Sequence, residues 1–162
     1  MAVKIDADEI LPHYLYQGAD PPMGETLARL GFNVLVLCAM ECQHPEEAFP
    51  GVRVVYAPMD DSAYVPKLFA SRVAILAARE VRAYQRVLVC CHAGLNRSGL
   101  VCALSVRCLT GWPGERCLNH VQERRAGSLC NPAFAQWLTS LSAVTRMPAS
   151  VPVSLEPSSQ KT

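Results

Sequence analysis

The run Val87-Leu88-Val89-Cys90-Cys91-His92-Ala93-Gly94-Leu95-Asn96-Arg97-Ser98-Gly99 constrains this chain more than any other stretch. Val87-Leu88-Val89 is short, apolar and largely β-branched, which fits a strand buried on both faces. A helical pattern resumes at Ser98 with Leu100, Val101, Leu104 and Leu109. Residues 92–97 are therefore expected to form a tight turn between a buried strand and a helix, with Cys91 at the strand's carboxyl end. Such a turn points to an α/β fold: a central, largely parallel sheet flanked by helices, with the site outside the carboxyl ends of its strands.

The residue types on that turn specify a chemistry. Backbone N–H groups at a strand-to-helix turn can converge on an anion, and Gly94 lets the backbone approach an oxygen closely. Arg97, six positions after Cys91, offers a planar fork that grips two phosphoryl oxygens and matches a trigonal bipyramidal transition state. A thiol among such donors, beside a guanidinium and at a helix N-terminus, ionises more readily than a free one and attacks phosphorus as a thiolate. Ser98 can hydrogen-bond the sulfur. The expected site is Cys91 as nucleophile, with His92, Ala93, Gly94, Leu95, Asn96 and Arg97 around the phosphate. No Gly-Lys-Ser/Thr follows, so the turn is not a nucleotide-binding loop.

Cleaving a phosphate ester also requires a proton for the leaving oxygen. The stretch Ala57-Pro58-Met59-Asp60-Asp61-Ser62 offers two carboxylates about thirty residues before Cys91, and no Asp occurs after position 61. The order is thus Asp, Cys, Arg, and on residue type alone Asp60 and Asp61 are rivals. Together these groups specify two steps. Cys91 displaces the alcohol or phenol while the acid protonates it, and the resulting carboxylate then activates water against the cysteinyl-phosphate. This chemistry requires no metal and no other cofactor.

The run resembles the signature of the cysteine-dependent protein tyrosine phosphatase superfamily, His-Cys-x-x-Gly-x-x-Arg-Ser/Thr, with Cys90 standing where that signature has histidine. Whatever the imidazole does to orient the loop and tune the thiol must here be done otherwise. Flanking stretches are similar to the dual-specificity branch over roughly residues 9–143: Ile10-Leu11-Pro12 with Leu15-Tyr16-Gln17-Gly18, Leu30-Gly31-Phe32-Asn33-Val34-Leu35, and Val121-Gln122-Glu123-Arg124-Arg125 with Asn131-Pro132-Ala133-Phe134. The resemblance implies a compact catalytic domain over 1–146, a shallow pocket admitting phosphoserine and phosphothreonine as well as phosphotyrosine, and a phosphorylated protein as partner. In that branch the acid follows a strand-ending proline by three residues, which selects Asp61 through Pro58. Leu37-Cys38-Ala39 looks like the stretch carrying a second, redox-active cysteine in the phosphoinositide phosphatase related to tensin, so Cys38 is a candidate disulfide partner of Cys91; vicinal Cys90 is another candidate guard against overoxidation. Gly94-Leu95-Asn96-Arg97-Ser98-Gly99 is also similar to the loop of capping-type RNA triphosphatases. An RNA 5′-phosphatase is therefore an alternative, and a phosphate-reading pseudophosphatase is a third reading kept open by Cys90.

The remaining features set boundaries. The apolar runs fall short of the ~20 residues a membrane span needs, and no charged-then-apolar leader opens the chain, so no membrane partner is expected. The eight cysteines lie mostly in apolar runs of a 162-residue chain, too large to need disulfide staples, which implies a reducing, cytoplasmic setting. Cys38, Cys42 and His44 form at most an incomplete zinc set. Residues 1–61 hold three Lys/Arg against ten Asp/Glu, and residues 62–162 twelve against four. Since the loop lies in the basic part, a positive field over the pocket is a modest expectation.

Along the chain, Glu9 to Gly18 reads as a short strand pair and Pro21 to Leu30 as a helix. Asn33–Cys38 and Val52–Ala57 read as strands. Pro66–Tyr84 reads as a long amphipathic helix with Leu68, Val73, Ile75, Leu76 and Val81 inward. Helices are expected near 98–109, 114–126 and 132–144, the last capped by Asn131-Pro132. The Pro- and Ser-rich residues 147–162 read as a disordered tail.

Overall fold

The computed structural model describes residues 4–145, so the expectation for the tail at 147–162 lies outside the described residues. Five strands form one sheet in the order β1-β2-β5-β3-β4: β1 (Ala7–Leu11), β2 (Leu15–Gly18), β3 (Val34–Ala39), β4 (Arg53–Met59) and β5 (Val87–Cys90). Only the β1–β2 pair is antiparallel; β2–β5, β5–β3 and β3–β4 all run parallel. This is the expected largely parallel α/β sheet.

The two central strands have the expected composition. Every residue of β3 and of β5 is buried, as a parallel strand covered on both faces requires. The period of two sorts their side chains. Val34, Val36, Cys38, Val87, Val89 and Cys91 share one core, and Leu35, Leu37, Leu88 and Cys90 join Phe32, Phe49 and Val54 in another. Cys90 and Cys91 therefore point to opposite sides of the sheet.

The first core is roofed by α2 (Lys67–Arg82), α3 (Arg97–Thr110), α4 (Gly114–Arg124) and α5 (Pro132–Thr139). The second is covered by α1 (Thr26–Arg29) and the segment around Phe49. The helix expected over Pro21–Leu30 shrinks to the single turn of α1. Gly24 at φ 103° leaves helical geometry just upstream. The inward face expected for α2 also needs correction. Val73 and Val81 are buried, but Leu68 is 66% and Ile75 37% exposed. The buried stripe instead runs through Ala70, Ala74, Ala77 and Ala78, small side chains that let α2 and α3 approach closely. Helices α4 and α5 end at Arg124 and Thr139, short of the expected 126 and 144.

Candidate active site

Strand β5 ends at Cys90, one residue earlier than expected, Cys91 follows it directly, and α3 begins at Arg97, so residues 92–96 form the expected turn. Gly94 has φ 71°, and a Cβ there would lie 2.4 Å from the Gly18 carbonyl carbon and the Ala19 nitrogen. Only glycine fits both the left-handed conformation and the contact with the end of β2.

The loop's carbonyls are turned outward and tied down. His92 O accepts from Ala19's neighbour Asp20, through its backbone N, at 3.2 Å. Ala93 O lies 3.4 Å from Arg125 Nη2. Gly94 O accepts from Arg125 Nε at 2.7 Å and Gln17 Nε2 at 2.9 Å. Leu95 O accepts from the Leu129 amide at 3.1 Å and lies 3.3 Å from Gln17 Nε2. A trans peptide is planar with its C=O and N–H antiparallel. Fixing four successive carbonyls on one side therefore turns the amides of Ala93, Gly94, Leu95 and Asn96 to the other. None of those four amides donates to a backbone carbonyl among the described residues, which makes the loop a nest of open donors.

Cys91 lies beside this nest at 4% exposure. Its Sγ is 3.2 Å from Ser98 Oγ, the contact expected from the sequence. Arg97 is 6% exposed and is gripped from outside: Nη1 and Nη2 donate to Glu41 Oε2 and Oε1, each at 2.6 Å, and Nη1 also reaches Met59 O at 3.2 Å. Its Nε is buried without a hydrogen-bond partner among the described residues. This bidentate pair holds the Glu41 carboxyl down at about 2 and raises Arg97 further, since each charge favours the other.

Asp61 and Asp60 part ways. Asp61 accepts from Asn96 Nδ2 at 2.9 Å through Oδ2 and from Asn131 Nδ2 at 2.7 Å through Oδ1. Asn96 is a loop residue, and its Oδ1 in turn accepts from the Asn131 backbone amide at 2.9 Å. Asp61 is thereby moored to the loop and to the cap of α5. Asp60 is exposed and makes no side-chain hydrogen bond among the described residues.

Cys38 shares the core with Cys91, while Cys90 faces the opposite core. Burial pushes both thiols well above the ordinary range, which disfavours the reactive thiolate form. The zinc set is not assembled: Cys38 and Cys42 point into the apolar core, and His44 is engaged with Asp20 at 2.9 Å. No group of three His, Cys, Asp or Glu side chains suited to a metal occurs among the described residues. Nor is any helix there long and apolar enough to cross a membrane. Two of the cations at the loop are ion-paired. Arg97 is matched by Glu41, and buried Arg125 by Asp6 at 3.0 Å and Asp8 at 2.7 Å. The acidic N-terminal part folds onto the cations of the loop.

Sequence reasoning missed Glu41, Gln17 and Arg125. Gln17 carried a signal, because it interrupts the apolar alternation set by Leu15. Arg125 lay in an Arg-Arg pair that reads as a solvated helix end, and Glu41 carried no local signal at all.

Comparison with known proteins agrees with this geometry. Residues 14–143 match the family model described as dual specificity phosphatase, catalytic domain. A search of curated proteins finds no match. The crystal structure of human DUSP28 is similar in fold, with a TM-score of 0.68 at 23% identity over 84% of this chain and 92% of that one. That of the human tyrosine phosphatase-like serine/threonine/tyrosine-interacting protein gives a TM-score of 0.70 at 21% identity over 83% and 94%. With the family model spanning most of its length, the chain belongs to the dual-specificity phosphatase catalytic-domain family.

Proposed function

We propose that this protein hydrolyses phosphotyrosine and phosphoserine/phosphothreonine esters on protein substrates through a cysteinyl-phosphate intermediate. The observation that carries the reading is the outward tying of the carbonyls of residues 92–95, which leaves four amides beside Cys91 without a backbone acceptor among the described residues, next to a buried Arg97 Nε that likewise has no partner among them. Donors fixed before substrate arrives stabilise charge that develops on the equatorial oxygens without reorganising.

In the first step Cys91 Sγ forms a bond to phosphorus as the ester oxygen departs, and Asp61 gives that oxygen its proton. In the second step Asp61, now a carboxylate, takes a proton from water. The water oxygen attacks phosphorus and the sulfur leaves. Arg97 Nε and the amides of 93–96 hold the phosphoryl oxygens through both steps, and Ser98 Oγ donates to the departing sulfur. The Asn96 and Asn131 side-chain amides donate to Asp61 and fix its carboxyl group beside the loop.

The test is turnover of p-nitrophenyl phosphate, a panel of phosphopeptides and 5′-triphosphorylated RNA. Hydrolysis of the ester and the peptides, abolished by Cys91→Ser and blocked by vanadate, is the expected outcome. Phosphate release from RNA alone would replace the protein substrate by a nucleic acid. Turnover that survives Cys91→Ser would end the mechanism.

A further inference from the structure

Gln17 is fully buried on β2 at a position where the strand calls for an apolar side chain. Leu15, two residues earlier and on the same face, lies in the main core. Burying an amide there costs about 1–3 kcal/mol unless its hydrogen bonds are made. Gln17 makes them on one end only. Nε2 reaches Gly94 O at 2.9 Å, Ser128 Oγ at 2.9 Å and Leu95 O at 3.3 Å, whereas Oε1 is buried without a partner among the described residues. The orientation of the amide is forced: the flipped rotamer would press Oε1 against two carbonyl oxygens. A polar group kept on the core face of a strand, with half of it unsatisfied, is poor packing. Its satisfied half acts on the loop and on the Ser128 turn beside it.

We propose that Gln17 is a positioning residue for the phosphate cradle: by holding the Gly94 and Leu95 carbonyls together, its side chain aims the Leu95 and Asn96 amides at the phosphoryl group. This inference rests on the reading of the loop as a phosphate site. Arg125 Nε also binds Gly94 O, and the Leu129 amide also binds Leu95 O. Gln17 is the side chain that spans both peptides, so it couples their orientation.

Gln17→Met keeps volume and burial but has no donor. Three measurements on it separate positioning from packing: melting temperature, the affinity of inorganic phosphate measured in a Cys91→Ser background, and the pH midpoint of Cys91 alkylation followed on its own peptide by mass spectrometry. With two oxyanion donors misaimed, phosphate should bind at least about tenfold more weakly, and the alkylation midpoint should move to higher pH, while the melting temperature holds. With p-nitrophenyl phosphate, kcat should fall along with the rise in KM. Phosphate affinity within twofold of the parent and an unmoved alkylation midpoint would overturn the proposal. Should Gln17→Met fail to fold, phosphate is titrated into the Cys91→Ser protein and the Gln17 side-chain NH2 signals are followed by NMR. They should shift along the same binding curve as the Leu95 and Asn96 amides; signals that stay still would overturn it. Absence of turnover by the unmutated protein would sink the phosphatase reading alone, because the phosphate comparison still decides the role of Gln17. Absence of phosphate binding would sink both.

Discussion

Asn131 Nδ2 donates to Asp61 Oδ1 at 2.7 Å across 70 positions of chain, and the same side chain's Oδ1 accepts from the Ala133 amide at 3.0 Å and faces the Phe134 amide at 3.4 Å. One residue thus caps α5 and moors the acid. The two duties separate by substitution. Asn131→Ala removes both and should cost about 1 kcal/mol of stability, the ordinary value of a cap, together with activity. Asn131→Asp keeps an acceptor for the helix amides but sets a like charge against Asp61. It should unfold in urea close to the parent and still lose turnover. An Asn131→Asp enzyme with undiminished kcat would mean that Asp61 needs no donor there.

The adjacent carboxylates should behave differently under mutation. Asp61→Asn removes the proton donor and should slow turnover by roughly 10²–10⁴-fold, the usual contribution of a positioned general acid. The loss should be larger for phenyl phosphate than for p-nitrophenyl phosphate, because the poorer leaving group depends more on protonation. Asp60→Asn should stay within about threefold of the parent, since Asp60 has no tie to the loop. Steady-state kinetics on both esters with both variants decides the assignment. The reverse ranking would move the acid to Asp60.

A third prediction concerns stability alone. His120 is buried on α4, with Nε2 2.8 Å from Ile10 O and its ring edge-on to Trp112. Burial lowers its proton affinity below the ordinary value of 6.5. The unfolded chain therefore takes up a proton at a pH where the folded protein does not, and by linkage stability falls as pH drops through 6.5. His120→Gln has no such group. The parent's urea midpoint relative to that variant should be highest at pH 7.5 and decline by pH 5.5. A constant difference would mean that His120 titrates alike folded and unfolded.

What the sequence disclosed follows from how local the determinants are. The strand Val87–Cys90, the turn and α3 are contiguous, so period, glycine and Cys-x5-Arg spacing sufficed to read them. The stripe of α2 was misread because large apolar side chains suggested an inward face at Leu68 and Ile75. Close approach to α3 instead selects alanines, a tertiary effect that hydropathy does not register. Choosing between Asp60 and Asp61 required a resemblance, since the distinguishing contacts come from Asn96 and Asn131, 35 and 70 positions away. Gln17, Glu41 and Arg125 act on the loop from other strands and helices. No spacing in the chain encodes that arrangement.

Glu41 provides the last test. Its carboxylate is half-exposed while the Arg97 side chain is buried, so the pair orients the guanidinium more than it stabilises the fold; solvent screens the attraction. Glu41→Gln retains one acceptor oxygen and loses the charge and the second contact. Arg97 should then wander, raising KM for p-nitrophenyl phosphate about threefold to tenfold while leaving a measurable kcat. The pH dependence has a definite sign. Folded Glu41 holds its proton more weakly than unfolded Glu41, at about 2 against the ordinary 4.5. The unfolded chain therefore binds more protons in that interval, and the pair's stabilisation, complete above 4.5, is lost as pH falls towards 2. Urea midpoints of the parent and of Glu41→Gln should differ by a constant amount from pH 7 to pH 5 and converge between 4.5 and 2. A difference that stays constant all the way from pH 7 to pH 2 would show that Glu41 is not held by Arg97 in solution.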